Sequence, residues 1–302
     1  MKSFAKTITA LTLLIAVAAP LGAAADERES KGKPNVLIDY FWRPTDIPFS
    51  AAEQLRGYVM EGITNTNRVN LIDVDTKDAL RIEAERREAG VEAGEDADRL
   101  KVMTEEGANF LIGGRISSLV VEERKHDDGS KYYVGKIGYT LKVINPNDGK
   151  LVLTRTFSHG DELFGNNSGN SVDEAITLVT QKSRGGITAF VQEAFPLFGL
   201  LLETGEVKDG KVNTAYMSLG EAHGLAKKDR FDVCVVREIA GRKSTKTIAE
   251  AEVDAVEGDD IALVKIKKNQ KELKAAIDAG QTIVFKSVPK KENFGNKLNK
   301  FL

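Results

Sequence analysis

Cysteine is almost absent from this chain of 302 residues. The single cysteine is Cys234, so no disulfide can form within the chain, and packing has to supply its stability. Cys234 lies in the apolar strand pattern of residues 231–236, which predicts a small buried hydrophobic side chain. A reactive thiol is the alternative interpretation.

Histidine is also scarce, and the three histidines are His126, His159 and His223. No two of them have the i, i+4 spacing of a helical metal site. His126 and His159 each precede aspartates that could complete a metal site, but solvated turns have the same composition. The sequence also lacks a glycine-rich phosphate loop followed by lysine. We therefore predict no catalytic residue, no cofactor-binding residue and no metal ligand, and no cofactor.

The acidic and aromatic residues do not identify a site either. Paired carboxylates occur at residues 161–162 and 259–260, but a chain with 45 acidic residues contains such pairs by chance. A hydrolase or sugar-binding protein that uses these loops is one alternative function, and it has less support in the sequence than the two functions described at the end of this subsection. Trp42, beside Arg43 and Pro44, is either a binding-surface aromatic or buried against the first helix, and we favour burial. The binding surface stays unknown at this stage.

Charge of one sign is not in excess. The chain has 43 basic and 45 acidic residues and a formal net charge of -2. This balance gives no electrostatic reason to expect nucleic acid or an anionic membrane as a partner. We expect neither nucleic acid nor a small-molecule substrate.

Long apolar runs are confined to the N-terminus. Lys2 and Lys6 precede an apolar run over residues 10–21, and small residues then lead to a charged segment. This order predicts a secretory signal peptide cleaved after Ala25, because the run is too short for a membrane span. No cysteine follows the run, so we expect no lipid anchor. The predicted location is the periplasm or the outer-membrane surface.

Strand and helix patterns alternate in the first half of the chain. The sequence predicts a strand over residues 35–41 and a helix over 51–67, with Ser50 and Glu53 forming a capping box. Further predicted elements are a strand at 69–74, a helix at 96–106, a meander of strands at 109–123, 131–145 and 150–158, and a helix over 171–195. Asp148-Gly149 marks a hairpin turn, Gly113-Gly114 a bulge or a close backbone approach, and Gly185-Gly186 a kink or break in the last helix.

Short strands dominate the second half. Strand patterns surround Asp209-Gly210, and others cover residues 230–237, 247–256, 261–267 and 282–288, with a helix over 270–279. This spacing predicts a small barrel or sandwich.

The fold class is therefore α+β. A domain that starts as α/β and continues as an antiparallel meander precedes a small β-barrel or sandwich domain. The predicted divisions are a signal peptide (1–25), a linker (26–34), the α/β domain (35–198), the small β-rich domain (199–288) and a Lys/Asn-rich tail (289–302).

Four segments of the first domain resemble the CsgG family of curli assembly and transport proteins. They are residues 36–41 (VLIDYF), 69–73 (VNLID), 106–116 (EGANFLIGGRI) and the hairpin at 143–150 (VINPNDGK). The second domain resembles the C-terminal module of FlgT-like flagellar proteins, through residues 205–207, 219–220, 224–225 and 229–233. That family has Gly-Asp where this chain has Lys228-Asp229.

The resemblance implies a non-enzymatic exported envelope protein, an assembly or secretion accessory module that works through protein–protein contacts. The implied partners are envelope proteins, a second copy of the chain in a homo-oligomer, or cell-wall or outer-membrane components. The alternative is a subunit of a curli-type outer-membrane secretion channel. Residues 124–131 and 159–170, where that family inserts its spanning hairpins, are neither long nor apolar enough for a pair of lipid-facing strands.

Overall fold

The structure is a computed structural model that describes residues 33–76, 104, 107–160 and 168–289. The predicted signal peptide lies outside the described residues. So do nearly all of the helix predicted over 96–106 and all but the first residue of the predicted tail.

The first part of the chain forms a mixed sheet. Two parallel strands, β1 (Asn35–Ile38) and β2 (Asn70–Asp73), lie at one side, and β1 also pairs in parallel with β3 (Phe110–Lys125). The chain then runs antiparallel through β4 (Lys131–Ile144) and β5 (Leu151–His159), in the order β2-β1-β3-β4-β5. A short strand, β6 (Ser168–Gly169), pairs with β4. The long hairpins follow the predicted meander, because alternating apolar residues give β4 one buried face.

Three helices cover one face of this sheet. They are α1 (Phe49–Thr64), α2 (Val172–Gln181) and α3 (Arg184–Ala194). Leu55 of α1 and Phe190 of α3 are fully buried in the core that these helices share with alternate residues of β3 and β4. At its centre the Tyr139 and Phe157 rings stack with centroids 4.9 Å apart. Gly114 leaves room for a side chain, since a Cβ added there would overlap the Phe41 ring, and the irregularity of β3 lies further along, between Ile116 and Ser118.

The helix ends differ in part from the prediction. The capping box at Ser50 is wrong: α1 begins at Phe49, Pro48 occupies the N-cap position, and Glu53 hydrogen-bonds to Arg56 instead. The long C-terminal helix is split, as predicted, with α3 beginning just before Gly185-Gly186. The side chain that caps a helix is Ser171, whose Oγ accepts a hydrogen bond from the Glu174 N–H (3.2 Å) at the start of α2.

The second part of the chain closes into a six-stranded barrel. Its strands are β7 (Phe198–Thr204), β10 (Thr214–Met217), β11 (Arg230–Ile239), β12 (Arg242–Val256), β13 (Ala262–Lys268) and β14 (Ile283–Val288). A hairpin of β8 (Val207–Lys208) and β9 (Lys211–Val212) precedes β10, and α4 (Gln270–Asp278) adds Leu273 to the barrel core. Asp209 and Gly210 both have positive φ, as a two-residue hairpin turn requires.

Both halves therefore agree with the predicted fold class. The α+β fold with a small barrel is confirmed. The domain boundaries drawn from the sequence stay a prediction.

Candidate interaction surfaces

The three histidines lie apart in local structural roles. His126 opens the tight turn between β3 and β4, where its backbone N–H donates to the Ser130 carbonyl (2.9 Å). His159 ends β5 beside Tyr139, with 3.5 Å between its Nε2 and the tyrosine hydroxyl. His223 accepts a hydrogen bond from the Gly220 N–H at its Nδ1 (3.2 Å) and so closes a short turn. Over the described ranges, no group of three or more His, Cys, Asp or Glu side chains could hold a metal ion.

The other candidate residues also have local partners. Asp128 accepts hydrogen bonds from the hydroxyl and the backbone N–H of Ser130, and these bonds lower the pKa of its carboxyl. The Asp259 carbonyl accepts from the Ala222 N–H (3.0 Å), while residues 161–162 lie outside the described residues. Cys234 is buried as predicted, and burial raises the pKa of its thiol.

Trp42 differs from the favoured interpretation. The side chain is half-buried, and the Arg115 guanidinium lies over its ring at 4.1 Å from the centroid. The preceding residue, Phe41, is the one that packs into the core with α1.

A buried ionic cluster ties α1 to the carboxyl ends of the parallel strands. Arg56, 3 % exposed, pairs with Glu53 on its own helix, with Asp73 at the end of β2, and with Asp75 just beyond it. The Tyr40 hydroxyl donates to Asp75, and the Arg56 guanidinium lies over the Tyr40 ring. In proteins with parallel sheets, ligands bind beyond the carboxyl ends of the strands. The ionic cluster therefore occupies the place where a ligand-binding site would be expected.

The electrostatics of this cluster indicate a structural role. Burial lowers the pKa of Arg56, but the three carboxylates outweigh that effect and the net shift is upward. Burial raises the pKa of Glu53, and Arg56 opposes that shift. Burial and the hydrogen bond to Asp75 raise the pKa of Tyr40. Each charge thus has an oppositely charged neighbour, and the arrangement ties α1 to the end of β2, although Glu53 Oε1 and Arg56 Nε have no hydrogen-bond partner among the described residues.

A second buried cation joins the sheet to the barrel. Arg68 donates hydrogen bonds to the Phe195 carbonyl (3.3 Å) at the end of α3 and to the Ser287 hydroxyl (3.2 Å) on β14. Burial lowers the pKa of Arg68 to about 10, although the nearby Asp229 carboxylate opposes this shift. Beside it the backbones approach closely, because a Cβ added at Gly224 would overlap the Thr66 carbonyl.

The turn before β11 bears on the FlgT-like pattern. Lys228 stands where that family has glycine, and it takes the left-handed conformation that glycine favours (φ 71°). The turn still forms, since the Ala226 N–H donates to the Asp229 carboxylate (3.0 Å).

Exposed apolar residues gather where α1 and α2 begin. Phe49 is 50 % exposed and Val172 is 46 % exposed, and each adjoins residues that line a groove of about 410 Å³ between the two helices. The groove is lined by Pro48, Ser50, Ala51, Gln54, Asp173 and Ile176. We call Phe49, Val172 and this groove the helix-end surface. It combines apolar side chains with a few polar groups, as protein-contact surfaces do.

Comparison with known proteins identifies no family. No protein-family model matches the chain, and no curated protein matches it.

Solved structures that align with the chain include a PelC dodecamer, a lipoprotein and the LpoB C-terminal domain. The PelC dodecamer from Paraburkholderia phytofirmans is 12 % identical over 52 % of this chain and 87 % of that chain, with a TM-score of 0.30. Lipoprotein GNA1162 from Neisseria meningitidis is 8 % identical over 42 % and 81 %, with a TM-score of 0.31. The LpoB C-terminal domain from Salmonella enterica is 9 % identical over 45 % and 96 %, with a TM-score of 0.29. These TM-scores are too low to support an argument from similarity.

The sequence pattern did not identify Arg56, Arg68 or the helix-end surface. Each depends on residues that are distant in the chain, and arginine in a helix or turn carries no local signal of burial. Within the described part of the chain, no helix combines the length and hydropathy needed to cross a bilayer.

Proposed function

We propose that this chain is an exported, non-enzymatic accessory protein of the bacterial envelope that works through protein–protein contacts. The N-terminal signal pattern supports export, and the CsgG-like and FlgT-like patterns support an assembly or secretion role. The described charged residues that are buried have structural partners, which supports a binding role over a catalytic one.

The helix-end surface is the observation that carries this proposal. Phe49 and Val172 belong to elements more than a hundred residues apart in the chain, yet each directly adjoins residues that line one groove. Large exposed apolar side chains near a groove are typical of a surface that is covered in an assembly. The core beneath them is complete, because Leu55 and Val179 of the same helices are fully buried. The Phe49 ring lies beside Tyr40 and under the Arg43 guanidinium, but half of Phe49 and nearly half of Val172 stay exposed for contact with another protein.

We propose that a second copy of the chain covers this surface. Light scattering of the purified chain, with and without mild detergent, is expected to give a mass that is a multiple of the single chain. Replacing both exposed apolar residues (Phe49→Ser with Val172→Ser) should shift the mass toward that of the single chain. Serine has no large apolar side chain to bury in the contact, so assembly removes less apolar area from water.

The matched control is Leu202→Ser. Leu202 is as exposed as Phe49 (51 %) but lies on β7 of the barrel, so its replacement should leave the mass unchanged. A single-chain mass for the parent in both conditions would overturn self-assembly. An assembly that forms only in detergent would instead favour the secretion-channel alternative.

A further inference from the structure

The β11–β12 hairpin projects beyond the barrel as a two-stranded ribbon. β14 pairs with β11 as far as Val235, and the Val236 N–H still donates to the Thr282 carbonyl (3.1 Å) just before β14. On the other strand, β13 pairs with β12 only from Glu250 onward. Beyond these contacts β11 and β12 pair with each other from Arg237 and Ser244 to Ile239 and Arg242. Three residue pairs at the usual rise per residue extend the ribbon by roughly 10 Å.

The two faces of this ribbon differ in charge. In an antiparallel pair, directly opposite residues lie on the same face, and alternate residues along a strand share that face. On one face Arg237 is opposite Ser244, and Ile239 is opposite Arg242. Lys246 lies on the same face, opposite Val235. The exposed residues of this face are therefore Arg237, Ile239, Arg242, Ser244 and Lys246. The other face carries Val236, Glu238, Lys243 and Thr245, where Glu238 lies opposite Lys243. We call the first set the basic face.

The basic face holds three cations and no carboxylate. Arg237, Arg242 and Lys246 are exposed, and no carboxylate of the described residues forms an ion pair with any of them. On the neighbouring strand β13, by contrast, Lys267 pairs with Glu252 (3.5 Å) and Lys268 pairs with Glu250 (2.7 Å). The formal net charge of -2 averages over the whole chain and conceals this local excess of positive charge.

An exposed isoleucine lies at the outer end of the same face. Ile239 is 60 % exposed, the largest exposed fraction among the exposed large apolar side chains of the described residues. It is about 7 Å along the strand from Arg237 and directly opposite Arg242. Cations behind a solvated apolar tip are the arrangement found in elements that bind the surface of a membrane.

We propose that the basic face docks on an anionic phospholipid surface. Arg237, Arg242 and Lys246 contact lipid phosphates, and Ile239 enters the boundary between head groups and acyl chains. An array of phosphates matches three cations on a flat ribbon, and the acyl boundary provides an apolar environment for Ile239. This surface is separate from the helix-end surface, so the inference does not depend on the assembly role.

The test measures binding of the full chain to vesicles of phosphatidylcholine with phosphatidylglycerol, compared with phosphatidylcholine alone. The chain should prefer the anionic vesicles, and the preference should disappear as salt is raised. Arg242→Gln should weaken binding by on the order of fivefold, because each basic residue near an anionic membrane contributes about that factor. The apolar N-terminal run is identical in the parent and the variants, so any contribution it makes to vesicle binding cancels in the comparison.

Two further variants test the geometry. Lys243→Gln removes one charge from the adjacent position on the opposite face, so it should weaken binding by less than about twofold. Ile239→Ser should weaken binding to anionic vesicles while the salt dependence is retained. Both positions are exposed, so folding is expected to be unaffected.

Three results would overturn the proposal. One is equal binding to the two kinds of vesicle. Another is an equal loss for Arg242→Gln and Lys243→Gln, which would mean that only diffuse charge acts. The third is tight binding to immobilised polyaspartate without binding to anionic vesicles, which would assign the basic face to an acidic polypeptide.

Discussion

Arg68 is 3 % exposed, and its hydrogen-bond partners come from both parts of the molecule. A charge loses its hydration when it is buried, so it is stable there only if neighbouring groups replace the lost water. The Phe195 carbonyl, the Ser287 hydroxyl and the Asp229 carboxylate do so, and Ser287 also accepts from the Leu197 N–H (2.9 Å). Arg68 is thus one of the contacts that orient the barrel on the sheet, together with the close approach of Gly224 to Thr66 and the hydrogen bond from the Asn67 side chain to the Glu221 carbonyl (3.4 Å).

We expect Arg68→Ala to lower the free energy of unfolding by about 3 kcal/mol, because it opens a cavity and leaves Asp229 without its buried cation. Denaturant unfolding followed by circular dichroism measures this loss. Arg237→Ala, which removes an exposed arginine, should change stability by less than about 0.5 kcal/mol. Equal effects of the two substitutions would contradict the structural role of Arg68.

At the scale of the element, the β11–β12 hairpin contains a mismatch between residue and conformation. Its two-residue turn is Ala240-Gly241, and both residues have positive φ (51° and 75°). A turn of this kind suits glycine or asparagine at the first position, whereas the Cβ of alanine is crowded there. The ribbon beyond the barrel therefore forms with a conformational cost at its turn.

Ala240→Gly is expected to stabilise the ribbon against local opening by about 1 kcal/mol, since it removes that crowding. Hydrogen exchange of the ribbon amides, from Arg237 to Lys243, measures the change. Gly241→Ala is the matched reversal and should make the same amides exchange faster. If glycine at position 240 left their protection unchanged or reduced it, the conformational cost would not exist.

The elements that the sequence predicted correctly carry local chemical signals. Asp148-Gly149 and Asp209-Gly210 marked hairpins because few residue types tolerate the positive φ that such turns require, and the alternating residues of β4 marked one buried face. The predicted start of α1 was wrong because Glu53 could interact either with Ser50 in a capping box or with Arg56. It pairs with Arg56, whose burial depends on β2.

The interaction surfaces could not be predicted in the same way. Gln54 and Ile176 line one groove only because α1 and α2 pack together on the sheet. The basic face needs the register that places Arg242 opposite Ile239 and Lys246 opposite Val235, and a shift of one residue would divide these cations between the faces. Register follows from the closed barrel, which the sequence indicated only as a barrel or sandwich.

At the scale of the whole molecule, two folded parts present different surfaces. The sheet part presents the apolar helix-end surface, and the barrel part presents the basic face. Arg68 and the close approach at Gly224 hold the two parts in contact. A protein that met a membrane through its barrel and other proteins through its helices would have the organisation of an envelope accessory module.

The central claim is that the helix-end surface contacts another protein, and site-specific photocrosslinking in producing cells tests it most directly. A photoreactive residue replaces Gln54, an exposed residue that lines the groove, or Lys271, an exposed residue of α4, as the control. The account predicts a discrete adduct from position 54 that is lost in the Phe49→Ser and Val172→Ser background, and no such adduct from position 271. No adduct from position 54, or the same adducts from both positions, would contradict it.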